Sequence, residues 1–306
     1  MYDELLRRRL EALNRGPLPP DPSRPGEAAL TVRTMPRRVR DAAPPRTAPV
    51  LFRPPAQAGS PAGLLRRGET VENPAGQHLR VLLPLNEIWP GGERLVSARQ
   101  HYLKQLLDAA DCAVEPAVVL DAEFAALVAA LPDRVLFLDL ETCGLAGAAL
   151  FLVGLLRHID GALTIELLMA RSYAEEAAVL DSLWRAVDGH DVLITFNGKS
   201  FDWPMVRERS VRHRLSVDQN NHRIHHLDVL HHARRRWRRQ LRDCRLQTLE
   251  RVVCRRHRTG DIPSHRIPAA YAEYVRTGFE REMDAVLHHN ALDLVTMLDL
   301  ALRLAA

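Results

Sequence analysis

The sequence predicts an α/β fold: a mixed five-stranded sheet flanked by helices, preceded by a proline-rich, largely disordered N-terminal arm. Three observations carry this. An apolar run, VLFLDL, leads straight into acidic residues; two strand-like segments meet at Asp160-Gly161; and helical and strand-like segments then alternate toward a long terminal helix.

Along the chain, residues 2–14 set Leu5, Leu6, Leu10 and Leu13 at near-helical spacing, which reads as one short amphipathic helix. From Pro17 to Pro61 the chain holds twelve of its twenty prolines, together with many Arg and Ala residues. Missing backbone donors block helix there, so residues 1–69 read as a short helix and a flexible arm, a segment suited to recruiting a protein partner. Residues 70–130 form a small lead-in region containing LRVLLPL, ARQHYLKQLLDAA and DAEFAALVAAL, with no chemistry assigned. Residues 131–306 form the main domain.

In that domain VLFLDL reads as a buried central strand, because strands covered on both faces are near-continuous apolar runs. ALFLVGLLRH, the turn Asp160-Gly161 and ALTIELLMA read as an antiparallel hairpin. A helix, EEAAVLDSLWRAV, a fourth strand, DVLITF, and a helix from near Asp202 follow. HHLDVLHHARRRW and LQTLERVV look helical, and a long helix spans about residues 280–304. The β-β-β-α-β-α order is that of the ribonuclease H fold.

Composition sets bounds rather than identity. A hydrophobic fraction of 46% over 306 residues supplies a proper core, and a net charge of +4 permits a nucleic-acid partner without demanding one. The four cysteines, Cys112, Cys143, Cys244 and Cys254, form no CxxC pattern suited to zinc and fit a reducing cytoplasm. The N-terminal residues lack the apolar run of a signal peptide. The uncharged stretch from Thr142 to Leu156 contains three glycines and is shorter than the roughly 18–20 apolar residues of a membrane span, so no membrane association is expected.

The chemistry lies in the acids. Asp139 and Glu141 stand two residues apart at the end of a buried strand, so their carboxylates share a face and repel unless a cation lies between them. Mg²⁺ or Mn²⁺, which favour hard oxygen ligands, would relieve that repulsion, although an isolated DxE is more often a strand end facing solvent. In FNGKSFD the fourth strand runs through Asn197 and Lys199 to Asp202, which taken alone caps a helix. Asp293 lies on the terminal helix in HHNALDLVTM. Asp228 in HHLDVL fits a helix cap or a hydrogen-bond acceptor as well as a site acid and stays outside the metal set. The segment ARRRWRRQLRDCR surrounds Trp237 with Arg234, Arg235, Arg236, Arg238 and Arg239, either a phosphate- and base-contacting surface or a solvated helix face.

Taken jointly, LDLETCGL, TFNGKSFDWP and HHNALDLVTM resemble the three exonuclease motifs of the DEDD superfamily of 3′-to-5′ exonucleases, over roughly residues 134–304. RSYAEEAAVL, HHLDVL and CRLQTLE…GDIPSHRIPAAY are similar to segments of the YprB-type predicted exonuclease family. The resemblance implies that Asp139, Glu141, Asp202 and Asp293 hold two divalent ions, Mg²⁺ or Mn²⁺, for cleavage of DNA or RNA. It also implies a general base before Asp293. His288 precedes it by five residues, as in the histidine form of the motif, and is the assigned base; His289 precedes it by four, where the tyrosine form has its phenol. On a continuous helix the i+4 pair shares a face and the i+5 pair is about 140° apart, so His288 serves only where the chain bends it inward. Asn197, Lys199, Arg235 and Trp237 are the expected substrate contacts. Competing readings are endonucleolytic cleavage of RNA and a nucleic-acid-binding scaffold that no longer turns over.

Overall fold

A computed structural model of the chain describes residues 63–112, 121–144, 147–215 and 224–305. The helix expected over residues 2–14 and the proline-rich arm lie outside these residues. The sheet has seven strands: β1 (Glu69–Asn73), β2 (Gly76–Pro84), β3 (Val135–Thr142), β4 (Leu150–Ile159), β5 (Ala162–Met169), β6 (Val192–Thr195) and β7 (His225–Asp228), in the order β1-β2-β5-β4-β3-β6-β7. β3 pairs antiparallel with β4 and parallel with β6, and β6 pairs parallel with β7. β6 ends one residue beyond the Phe137–Ile194 pair, so the loop after it emerges beside the acidic end of β3, and open sheets bind ligands beyond such strand ends.

The main helices are α1 (Gly92–Cys112), α2 (Ala122–Ala130), α3 (Glu176–Asp188), α4 (Asp202–Arg212), α5 (Val229–Trp237), α6 (Ile267–Thr277) and α7 (Arg281–Leu304). β4 is buried continuously from Leu150 to Leu156, which requires cover on both of its faces. α3 packs on β2, β4 and β5, while α7 crosses β3, β4 and β5. α6 docks through Tyr271, whose ring stacks on Phe151 at 4.0 Å between centroids. Each fully buried Leu, Val or Phe contributes about 1.5–3 kcal/mol, so these contacts hold the terminal helix firmly over the strand ends. Among the described residues no helix is long and apolar enough to cross a membrane.

Two expectations need correction. Seven strands replace the expected five, because residues 69–84 fold into a hairpin whose second strand, LRVLLPL included, pairs with β5. HHLDVLHHARRRW is not helical throughout: His225–Asp228 forms strand β7, and the helix begins only at Val229. The switch occurs because Asp228 caps α5 through the Leu230 N–H, which ends the strand and starts the helix. The Asp160-Gly161 turn stands as read, both residues having positive φ (49° and 87°) as a two-residue hairpin of type I′ requires.

Candidate active site

β3 carries the first two acids. Asp139 lies opposite Gly154 and Glu141 opposite Leu152 in the β3–β4 register, with an irregularity between Glu141 and Thr142 where the strand leaves the sheet. Beyond the end of β6, Asn197 takes a left-handed backbone (φ 67°) and Gly198 presses on Thr195, where a Cβ would come within 2.4 Å. This bend delivers Asp202 at the first turn of α4. Asp228 fixes the loop: its fully buried carboxylate accepts the Asn197 N–H at 2.8 Å and the Lys199 N–H at 3.1 Å. Asp228 thus acts as a structural hydrogen-bond acceptor and helix cap.

α7 brings the third group. Arg258 donates to Asp293 and to Glu250, and also reaches Asp261 at 3.2 Å. Asn290 Nδ2 donates to Asp139 Oδ2 at 2.8 Å. His289 contacts Asp261 through Nδ1 at 2.8 Å, and its Nε2 lies 3.5 Å from Asp293 Oδ2. No hydrogen bond joins His288 to a described residue. α7 is continuous through both histidines, so the i+4 residue shares the face of Asp293 and the i+5 residue does not.

The acids raise one another's pKa. Burial, then the charges of Asp293, Glu141 and Asp202, holds the Asp139 carboxyl well above the usual carboxylate range. Burial pushes Glu141 up to about 8, with Asp293 and Asp202 adding to the shift and His289 opposing it. Burial raises Asp202 to about 7, against a backbone hydrogen bond that lowers it and with a smaller push from the Asp228 charge. For His289 burial lowers the pKa, but the Asp261 hydrogen bond and the Asp293 charge outweigh it and the net direction is up. Burial lowers that of His288.

Hard, mutually repelling carboxylate oxygens are the donor chemistry that Mg²⁺ or Mn²⁺ requires, and the set fits such ions in kind. Among the described residues no three His, Cys, Asp or Glu side chains already stand in metal-ligand geometry; Asp293 is engaged by Arg258 and Asp139 by Asn290. The expected substrate residues are also engaged. Lys199 Nζ lies 3.5 Å from Glu123, and Arg235 donates to Asp121 at 2.9 Å, so the start of α2 holds both cations. Trp237 is half-buried and packs against the core, and neither it nor Arg235 bonds to the four acids.

Residues 136–305 match the family model RNase_H_2, described as RNase_H superfamily. The chain belongs to the RNase H superfamily. It is 31% identical over 178 residues to an uncharacterized protein YprB of Bacillus subtilis (strain 168), a match covering 56% of this chain and 42% of that protein. The chain therefore matches less than half the length of that relative. Strands β3–β7 form the five-stranded RNase H part of the sheet, and β1–β2 extend it at the β5 edge.

Three residues of this RNase H site carry no signal that singles them out in the sequence: Asn290, Asp261 and Arg258. Asp261 falls in the GDIPSHR stretch, and Asn290 sits within HHNALD. The one local signal is Gly154, an isolated glycine in an apolar strand, which marks a close approach.

Proposed function

We propose that the chain is a metal-dependent nuclease of the DEDD type that removes nucleotides from the 3′ ends of DNA or RNA. The observation that carries this reading is the gathering of Asp139, Glu141, Asp202 and Asp293 from β3, α4 and α7 into one repelling group. These four would hold two Mg²⁺ or Mn²⁺ ions, whose chemistry is to activate water and to neutralise charge on the phosphodiester.

The chain's own residues do the rest. Asp261 fixes the His289 ring through Nδ1, which leaves Nε2 as the atom facing the acids. His289 takes the proton from the attacking water, in place of His288, which lies off that face of α7. Asn197 and Lys199, on the loop leading to Asp202, contact the substrate backbone. Lys199 and Arg235 exchange their carboxylate partners at the start of α2 for phosphates, and Trp237, two residues after Arg235 on α5, contacts a base. The reaction takes place in the cytoplasm, where thiols such as Cys143, Cys244 and Cys254 stay reduced.

The test is incubation with 3′- and 5′-labelled single- and double-stranded DNA and RNA, and with circular substrates, under Mg²⁺, Mn²⁺ or EDTA. Stepwise loss from the 3′ end is expected, abolished by EDTA and reduced at least ~10³-fold in Asp139→Ala/Glu141→Ala. Cleavage of circles would instead indicate an endonuclease. His289→Ala should lower kcat by about 10²–10⁴-fold and His288→Ala far less.

One observation favours a second reading, a nucleic-acid-binding scaffold without turnover: Arg258 already neutralises Asp293. Retained binding with no cleavage of any substrate under either metal would establish it.

A further inference from the structure

Asn290 is a fully buried amide that touches one of the four acids, Asp139. Its Nδ2 donates to Asp139, while its Oδ1 is buried without any hydrogen-bond partner. A lone buried acceptor is uncommon, because its desolvation goes uncompensated. The position of that oxygen explains how it fits. A Cβ at Gly154 would lie 1.7 Å from Asn290 Oδ1 and 2.7 Å from its Cγ, so the amide lies in the notch left by the missing side chain. Gly154 is also the direct cross-strand partner of Asp139. The Gly154 Cα–H therefore points at the stranded oxygen, a weak contact, and the opposite end of the amide is aimed at the carboxylate.

We infer that Asn290, seated on Gly154, is a positioning residue that orients the Asp139 carboxylate toward a divalent cation. The inference rests on the metal-dependent reading above and adds a specific device to it. A neutral donor suits this role because it ties Oδ2 without bringing a positive charge that would compete with the ion, unlike Arg258 on Asp293. No described residue donates to Oδ1 of Asp139, which leaves that oxygen to the ligand. Any residue larger than glycine at position 154 would push the amide off the sheet and turn the carboxylate with it.

The test is Mn²⁺ binding by calorimetry to wild type, Asp139→Ala, Asn290→Ala, Asn290→Leu and Gly154→Ala, with thermal unfolding and kcat and KM for a labelled oligonucleotide beside it. Asn290→Ala is expected to bind Mn²⁺ roughly 5- to 10-fold more weakly and to lose about 10- to 100-fold in kcat, with KM for the oligonucleotide unchanged. Asn290→Leu keeps the volume and removes the donor, so it gives the same signature if the alanine variant folds poorly. Gly154→Ala should mimic both, and adding Asn290→Ala to it should restore lost stability by vacating the notch. Wild-type Mn²⁺ affinity in Asn290→Ala and Asn290→Leu would overturn this inference alone. Absence of Mn²⁺ binding to wild type itself would overturn the metal-dependent reading and this inference with it.

Discussion

Glu176 and Asp139 are both carboxylates taken largely out of water, and the fold treats them in opposite ways. Glu176, on α3, accepts the Leu150 N–H at 2.8 Å, two hydrogen bonds from Arg209 and one from His213. Arg209, His213 and the Leu150 N–H together outweigh the burial that would raise its pKa, and the net direction is down. Asp139 has one neutral donor and three acidic neighbours, and its pKa is raised. Where an acid serves the framework, its charge is met inside the chain. Where four acids gather around a single arginine, Arg258, most of the missing charge is left for something outside the chain. The two regions are linked, since Arg209 also donates to the Gly147 carbonyl on the segment after Glu141, and its helix, α4, starts at Asp202.

The sharpest way to break the contrast is at the framework end. Arg209→Met leaves Glu176 buried without its main partner, which costs about 3–5 kcal/mol. Urea unfolding should show that loss, and removal of both charges in Glu176→Leu/Arg209→Met should recover part of it. A loss below about 1 kcal/mol, the range of an exposed pair, would mean the pair is not a clamp. Next in size is the metal. At a hundredfold excess over its dissociation constant, Mn²⁺ should stabilise wild type by about 2.7 kcal/mol and leave Asp139→Ala/Glu141→Ala unaffected. Smaller still, and opposite in sign to most core changes, Glu141→Gln should stabilise the metal-free protein by about 1–2 kcal/mol near neutral pH, because it removes a carboxyl that must take up a proton on folding and keeps the shape. The same change at Glu176 should destabilise.

The same contrast explains what the sequence made legible. β3 and its DxE were readable because a buried strand is an apolar run and acids at its end are conspicuous. The α4 start at Asp202 followed from the loop after β6. β7 was not readable: HHLD is four residues long, has no alternation, and is a strand only because β6 offers a parallel edge. β1, with Glu69 and Glu72 on an outer strand, lacks an apolar signature for the same reason that edge strands carry charge. Asp261, Arg258 and Asn290 gain meaning only when α7 is laid across β3 and β4, a long-range arrangement that local spacing does not encode. Local geometry does bear on the histidines, since the i+4 relation to Asp293 favours His289, while the motif spacing favours His288.

The smallest expected effect concerns acid pH. The folded-state pKa of Glu176 lies below its ordinary value of 4.5, so its ion network contributes stability that is fully present above about 4.5 and is lost as pH falls through the folded value. Stability measured by urea unfolding from about pH 6 to about pH 3 should decline below about pH 4.5, because the unfolded chain takes up a proton there that the folded chain resists. In Glu176→Gln that uptake is gone, so its curve should start lower and fall less steeply over the same range. Parallel curves for the two proteins would mean that the proton is taken up elsewhere, and that the pairing of Glu176 with Arg209 and His213 adds no stability of its own.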